Sequence, residues 1–189
     1  MSPAIVGKVP ISGLFVFEEA GYAQRASPLL ARLPRMVGRP VAIGSAPGLV
    51  DRRGPVHAGA FLSSRRILLN CGRREFTRVL VHELFHFVWV RLGNPRRWFY
   101  EDLLDAELVA HARGELGWSA EWRKAAIGGA HRRNRGRTWR EYCCESFCDS
   151  AAWLYSGCRA HEEFTLAPRF RARRRDWFTH ITEAGPLSM

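Results

Sequence analysis

Short apolar runs in the first half of the chain predict β-strands, and longer periodic patterns predict α-helices. The strand-like runs are Leu14–Phe17, Val41–Gly44, His57–Leu62 and Arg66–Asn70. Only Ser63, Ser64 and Arg65 separate the last two runs, so we expect a β-hairpin there. The stretch from Gly44 to Gly54 combines glycine, proline and charged residues, which predicts a loop.

Six helical segments are predicted, and one of them has an unusual composition. Residues Thr77–Leu92 are apolar almost all round, which predicts a buried helix that stops at Gly93. Ser27 followed by Pro28 predicts the start of a short helix through Leu33 or Met36. The glycine-rich, basic segment Gly128–Arg137 predicts a mobile surface loop. The remaining helices are predicted at Trp98–Leu116, Ser119–Ile127, Thr138–Tyr155 and from Pro168 onward.

Length and composition are those of an ordinary folded domain. A chain of 189 residues has the size of one domain, so we expect a single domain over residues 1–189. No apolar run reaches the roughly 18 residues that cross a bilayer, and we expect no association with a membrane. The N-terminal stretch lacks a basic region and a small-residue cleavage site, which predicts a cytoplasmic protein without a secretory signal. The five cysteines form no CxxC pair, which predicts reduced thiols in the core.

The buried helix contains the motif HExxH, formed by His82, Glu83 and His86. Histidines four residues apart lie on one face of a helix, where they can bind one Zn²⁺, and the glutamate lies beside the open coordination position. Imidazoles on an almost wholly apolar helix need partners, because unpaired polar groups cost several kcal/mol when buried. The motif therefore predicts a catalytic zinc site with Glu83 as general base.

A catalytic zinc needs a third protein ligand from another element. Glu145 and Asp149 lie one and two turns beyond Glu141 in an otherwise apolar helix. Thr138 and Glu141 have the form of a capping box, which explains Glu141 locally. We therefore predict that Glu145 is the third ligand and that Asp149 accepts a hydrogen bond from a ligand histidine. The alternatives on the preceding helix are Glu101, Asp105, Glu107 and His111.

HExxH followed by a helix with Glu-x-x-x-Asp resembles the gluzincin class of zinc metallopeptidases. In that class the glutamate is the third zinc ligand and the aspartate supports a ligand. The segment Ala58–Trp89 is similar to the ImmA/IrrE-like peptidases, which have a hairpin, an I-x-L-N strand end and F-T before the HExxH motif. The matching residues are Ile67, Leu69, Asn70, Phe76, Thr77, His82, Glu83 and His86.

The resemblance implies a zincin-like α+β fold and hydrolysis of peptide bonds. In this fold a small, mainly antiparallel sheet packs on the HExxH helix, and the helix with Glu145 completes the site. A peptide or protein substrate can then add as a strand beside Ala58–Leu62. The sequence does not choose the residue that stabilises the oxyanion, for which the candidates are Tyr100, His111, Tyr142, His161 and nearby arginines.

A net charge of +11 keeps a second class of function open. The loop His131–Arg137 and the arginines between Arg169 and Arg175 could bind nucleic acid through its phosphates, and a protease could then act on DNA-bound proteins. Trp139, Phe170 and Trp177 are candidates for stacking on bases, although their helical spacing favours the core. A third hypothesis is a zinc-binding protein without catalytic activity.

Overall fold

The computed structural model describes residues 9–51 and 54–189, with side chains from residue 13 onward. The predicted lack of a secretory signal concerns a segment that includes residues 1–8, which lie outside this range. The strands are β1 (Val9–Ser12), β2 (Phe15–Phe17), β3 (Met36–Val37), β4 (Val41–Ser45), β5 (Val50–Asp51), β6 (Gly54–Pro55), β7 (Ala58–Phe61), β8 (Arg66–Leu69) and β9 (Leu187–Ser188). The helices are α1 (Ala20–Leu30), α2 (Phe76–Arg91), α3 (Asn94–Val109), α4 (Trp118–Ala125), α5 (Gly129–Asn134), α6 (Arg137–Tyr155) and α7 (Pro168–Glu183). The fold is thus mixed α+β.

The main sheet has five strands in the order β1-β2-β4-β8-β7. The predicted hairpin is confirmed, because β7 and β8 pair antiparallel from Ala58 opposite Leu69 to Phe61 opposite Arg66. The prediction of a mainly antiparallel sheet is wrong, because β4 pairs parallel with both β2 and β8. Parallel neighbours need a long connection, which α1 supplies between β2 and β4 and which the β5–β7 segment supplies between β4 and β8.

The apolar helix α2 lies between the sheet and α6. It contacts β7 and β8 on one side and α6 on the other, which explains why its surface is apolar almost all round. Phe85 of α2 packs against Phe147 of α6 and Phe178 of α7 in a core rich in aromatic rings. This packing sets the face of α6 that meets the two histidines. No helix in the described part of the chain is long and apolar enough to cross a bilayer.

Helices α1 and α3 begin and end at other residues than predicted. Helix α1 spans Ala20–Leu30, and Pro28 lies in its last turn rather than at its start. The buried face of α1 is formed by Ala23, Ala26 and Leu29. Because this face begins before Pro28, the helix also begins upstream of the proline. Helix α3 begins at Asn94, after Gly93 at its N-cap, and ends at Val109. The helix was predicted to run to Leu116, but the backbone leaves the helical conformation at His111, where φ is 54°.

The basic segment Gly128–Arg137 was predicted to be a loop, but residues Gly129–Asn134 form α5. The Nε atom of Arg132 lies 2.8 Å from the Oδ1 atom of Asp105, and Arg135 pairs with Asp102. Acidic residues of α3 thus hold the segment on the protein surface.

The predicted capping box at the start of α6 does not form. The N-cap is Gly136, and Thr138 lies inside the first turn. The Oε1 atom of Glu141 accepts a hydrogen bond of 2.6 Å from the Nε atom of Arg137 instead. Glu141 therefore has a local partner other than the expected backbone amide.

Candidate metal centre

The two histidines of the HExxH motif face each other one helical turn apart. The Nε2 atoms of His82 and His86 are 3.2 Å apart, and both side chains are part-buried. Helix α6 crosses α2 at this point, and the Oε2 atom of Glu145 lies 3.2 Å from the Nε2 atom of His82. Two nitrogen atoms and one carboxylate oxygen thus converge near the Nε2 atom of His82.

These separations suit a single tetrahedral metal ion. With zinc bonds of about 2.0–2.1 Å, two neighbouring ligand atoms of a tetrahedron are about 3.3 Å apart. Both measured separations are 3.2 Å. A set of two histidines and one glutamate is also a ligand combination that catalytic zinc sites use. The separations of His82 from His86 and from Glu145 therefore suit Zn²⁺, whereas the three donors that all lie within 4.8 Å of one another in the described part of the chain are those of His82, His86 and Cys148.

Asp149 lies on the other side of the His82 ring. Its Oδ1 atom is 2.7 Å from the Nδ1 atom of His82, and its side chain is almost fully buried. Its Oδ2 atom accepts a hydrogen bond of 3.0 Å from the backbone amide of Ala120, in the first turn of α4. A helix N-terminus favours a negative charge, so α4 stabilises the buried carboxylate that holds His82.

Gly117, the N-cap of α4, makes room for this carboxylate. A Cβ atom at Gly117 would lie 2.2–2.4 Å from the carboxylate atoms of Asp149. Its φ of −177° is open to any residue, so the requirement for glycine is steric rather than conformational. The fold accepts Asp149 at this position only because residue 117 has no side chain.

The charges around the motif favour a cation between the carboxylates. Burial alone would lower the pKa of His82, but the charge of Asp149 and the hydrogen bonds to Asp149 and Glu145 raise it well above its ordinary value. Burial opposes ionisation of Glu145, yet the hydrogen bond and charge of His82, with the charges of His86 and Arg123, lower its pKa to about 2. In the metal-free protein the protonated ring of His82 therefore donates to Asp149 through Nδ1 and to Glu145 through Nε2, where its second proton occupies the metal-binding position. A metal ion would take the place of that proton.

A cysteine also belongs to the cluster. Ligand atoms of His82, His86 and Cys148 all lie within 4.8 Å of one another, so these three residues could hold a metal ion. From the sequence, Cys148 is predicted only as a reduced thiol of the core. The sequence signal that could have identified Cys148 is its position three residues after Glu145, because residues three apart lie on the same face of a helix.

A second cysteine of α6 contacts the other histidine. The sulfur of Cys144 lies 3.4 Å from the Nδ1 atom of His86. A hydrogen bond from Cys148 outweighs the effect of burial and, together with the contact to His86, lowers the pKa of Cys144 to about 6. The pKa of Cys148 is raised well above its ordinary value, chiefly by burial.

The histidines open into a cavity of about 550 Å³. One wall is the strand β7, and the opposite wall is the start of α4 with Trp118 and Trp122. Glu83 and Glu145 both line the cavity, whereas Cys148 does not. Among the residues that the structure describes, none forms a hydrogen bond or ion pair with the Glu83 side chain, which is only 9% exposed. Its carboxylate is therefore free to act on a molecule in the cavity.

The alternative ligands on α3 lie away from this cavity. Glu101 accepts a hydrogen bond from the indole of Trp139, Asp105 pairs with Arg132, and Glu107 pairs with Arg174. His111 is exposed beyond the end of α3. Glu101 and Glu107 are buried, and each has its partner on another helix.

Most candidates for stabilising the oxyanion also lie elsewhere. Tyr100 donates a hydrogen bond to the Ser146 carbonyl, and Tyr142 donates one to Glu115 in the core. His161 lies 3.2 Å from Glu75 and, like His111, does not line the cavity. Among the described residues, the arginines that do line it are Arg78 and Arg123.

Arg123 is anchored by three groups at the cavity wall. One of its terminal nitrogens is 3.2 Å from the Oε1 atom of Glu145, and the other donates to the carbonyl of Ser119 at 2.7 Å. Its guanidinium also lies 4.2 Å from the centre of the Trp122 ring. Arg123 therefore holds the Glu145 oxygen that faces away from His82.

The aromatic residues considered for nucleic-acid binding are not on the surface. Trp139, Phe170 and Trp177 are each at most 3% exposed, so their interpretation as groups that stack on bases is wrong. Two of the neighbouring arginines, Arg169 and Arg173, lie over the Phe170 ring instead. Those two guanidinium groups thus pack against an aromatic side chain of the same chain.

Comparison with known proteins adds no relative from which a role can be transferred. No protein-family model matches the chain, and neither the curated proteins nor the solved structures show a match. The resemblance to gluzincins and to ImmA/IrrE-like peptidases therefore stays a prediction.

Proposed function

We propose that the protein is a zinc metallopeptidase with His82, His86 and Glu145 as metal ligands and Glu83 as general base. One observation carries the proposal: the Nε2 atom of His82 lies 3.2 Å both from the Nε2 atom of His86 and from a carboxylate oxygen of Glu145, beside a cavity that is also lined by Glu83, which has no side-chain partner among the described residues. A metal that only held the fold together would need neither the unpaired glutamate nor the cavity. Structural zinc sites are closed, whereas catalytic sites keep one position open.

The chemistry divides between the metal and Glu83. When bound, zinc makes a water molecule acidic and polarises the scissile carbonyl. Glu83 takes a proton from the attacking water and passes it to the leaving amine. Asp149 keeps the Nδ1 proton of His82 in place, so that the Nε2 lone pair faces the metal. Arg123 lines the cavity with a fixed positive charge that pairs with Glu145, and it can stabilise the oxyanion.

The shape of the cavity favours an extended peptide as substrate. Strand β7 is at the edge of the main sheet, so one side of its backbone has no neighbouring strand among the described residues. Ala58, Gly59 and Ala60 line the cavity with small side chains, which leaves the backbone groups accessible. A peptide chain could pair with this edge and lay its scissile bond across His82 and His86.

Glu145 is a better third ligand than Cys148 for a reaction in this cavity. Glu145 lines the cavity and is ionised, with a pKa lowered to about 2 chiefly through His82 once burial is overcome. Cys148 is fully buried behind it, and burial holds its thiol in the protonated form. Zinc binds the thiolate rather than the thiol.

The test combines metal content with peptide cleavage. The purified protein should contain one equivalent of zinc and should cleave members of a peptide library. Glu83→Gln should abolish cleavage and keep the zinc, whereas His82→Ala and His86→Ala should lose both. A Glu83→Gln protein without metal would contradict the role assigned to Glu83. Zinc binding without any cleavage by the wild type would favour the catalytically inactive alternative.

Cobalt distinguishes the two third ligands. Co²⁺ in place of Zn²⁺ gives a sulfur-to-metal charge-transfer band only when a thiolate is a ligand. We expect no such band, an unchanged cobalt spectrum in Cys148→Ser, and loss of metal in Glu145→Ala. A band that disappears in Cys148→Ser would make Cys148 the ligand and would refute the role of Glu145.

A further inference from the structure

A histidine that binds a metal through one ring nitrogen needs a partner for the other. That partner fixes the tautomer and the orientation of the ring. For His82 the partner is Asp149, at 2.7 Å from Nδ1. For His86 the contact at Nδ1 is the sulfur of Cys144, at 3.4 Å, within the range of a hydrogen bond that involves sulfur.

We propose that Cys144 is the positioning residue of His86. Its sulfur accepts the Nδ1 proton, which leaves the Nε2 lone pair directed at the Nε2 atom of His82 and the metal position. The inference rests on the proposed function, because it concerns a ligand of the proposed zinc site. Sulfur in this role is unusual, since carboxylates, backbone carbonyls and water are the common partners of ligand histidines.

The side of the ring that Cys144 contacts excludes it as a ligand of the same metal. Nδ1 and Nε2 point away from each other across the imidazole ring. The Nε2 atom of His86 faces His82, 3.2 Å away, and Cys144 lies on the opposite side. Cys144 also precedes Glu145 directly in α6. One stretch of helix thus supplies the third ligand and the support for the second histidine.

The experiment compares a variant that has a hydrogen-bond acceptor at residue 144 with a variant that has none. Cys144→Ser keeps an acceptor atom, whereas Cys144→Ala removes it. Cys143→Ala is the matched control, because Cys143 is the buried neighbour in the same helix, and no contact joins it to either histidine in the described part of the chain. Zinc affinity is measured on the metal-stripped full-length chain by competition with a chelating indicator. Thermal unfolding of the metal-free protein reports stability separately.

We expect Cys144→Ala to weaken zinc binding by about 10–100-fold. Cys144→Ser should stay close to the wild-type affinity, and Cys143→Ala should lower the melting temperature without changing that affinity. If Cys144→Ala does not fold without metal, Cys144→Val replaces it, because valine has a similar size and no acceptor. Rescue by serine is the result that a purely structural role of Cys144 would not produce.

Two results would overturn the inference. Wild-type zinc affinity in Cys144→Ala would show that His86 needs no support from sulfur, and the zinc site itself would be unaffected. A cobalt charge-transfer band that disappears in Cys144→Ser but persists in Cys148→Ser would make Cys144 a ligand. Failure of the proposed function is a different result, since the wild-type chain would then bind no zinc or cleave no peptide.

Discussion

Helix α6 takes part in two clusters of buried charge, and the two differ in how completely their polar atoms are paired. One cluster is the candidate metal centre around Glu145 and Asp149. The other, the Arg174 cluster, joins Arg174 of α7 to Glu107 of α3 and to Glu115, with Tyr142 and Ser150 of α6 at its edge. Arg174, Glu107 and Glu115 are fully buried.

The Arg174 cluster is closed and saturated. The guanidinium of Arg174 donates to both oxygens of Glu107 and to both oxygens of Glu115, at 2.6–3.1 Å. Tyr142 and Lys124 also contact Glu115. In the metal centre, by contrast, Glu83 has no such partner in the described part of the chain and faces a cavity. A buried charge therefore indicates function here only where it is unpaired and accessible.

The largest expected effect separates the two clusters by stability. Arg174→Met leaves two buried carboxylates without their main counter-charge, and breaking a buried ion pair from one side costs about 3–5 kcal/mol. We expect chemical denaturation to show a loss of this size. The zinc content of the folded protein should not change. Loss of zinc from folded Arg174→Met protein would mean that the two clusters are coupled.

The pH dependence of the unfolding free energy should reveal the titration of one carboxylate from each cluster, Glu115 and Glu145. Burial opposes ionisation of Glu115, but the charge and hydrogen bonds of Arg174, with Lys124, lower its pKa to about 2. Because the folded pKa is below the unfolded value near 4.3, Glu115 stabilises the fold above that pH and loses this contribution as the pH falls toward 2. The contribution is on the order of 3 kcal/mol.

Substitution should distinguish the two carboxylates, because Glu145 in the metal-free protein titrates over the same pH range. Glu115→Gln and Glu145→Gln should each reduce the slope of unfolding free energy against pH between about 4.5 and 2. Only Glu145→Gln should also weaken zinc binding. Equal zinc affinities for the two variants would remove the functional difference between the clusters.

A smaller effect is expected from a methyl group at Gly117, beside the Asp149 carboxylate. Gly117→Ala brings a Cβ atom within 2.4 Å of the Asp149 carboxylate, which must then move away from His82. Zinc affinity should fall by about 10–100-fold, as for loss of a ligand's hydrogen-bond partner. Gly136→Ala is the control, since the N-cap of α6 has open space for a Cβ atom. Unchanged affinity in Gly117→Ala would show that Asp149 is not needed for zinc binding.

The smallest effect concerns charge pairs on the surface. Arg132 and Arg135 pair with Asp105 and Asp102 at positions open to solvent, where a pair contributes about 0–1 kcal/mol, and Arg135 also lies 3.7 Å from the buried carboxylate of Glu101. Replacing both arginines with serine should lower the unfolding free energy by at most about 1 kcal/mol each. Peptide cleavage should be unchanged. A large loss of turnover would connect this surface to the metal centre.

Local patterns predicted the helices that form the centre, since the apolar run of α2 and the spacing of His82 and His86 are properties of adjacent residues. The approach of Glu145 and Asp149 to His82 also agrees with their positions in α6. The parallel pairing of β4 could not be predicted in this way, because it depends on strands separated by a helix and a long loop.

Contacts between distant segments account for the other differences. Arg174 lies among exposed arginines in the sequence, and only the partners on α3 and in the segment before α4 explain its burial. In the sequence, Gly117 resembles an ordinary helix-terminating glycine. Only the structure shows that Asp149 occupies the space beside it. The role proposed for Cys144 depends on its contact with His86, which forms where α6 crosses α2.

The first turn of α4 is capped by carboxylates from distant parts of the chain. The amide of Trp118 donates to Glu163 at 2.7 Å, and the amide of Ala120 donates to Asp149 at 3.0 Å. A hydrogen-bonded amide exchanges its proton for deuterium only when its bond opens. Exchange at Ala120 therefore reports how often the wall of the cavity detaches from α6, the helix that holds His82 in place, and exchange at Trp118 reports how often the same wall detaches from the segment between α6 and α7.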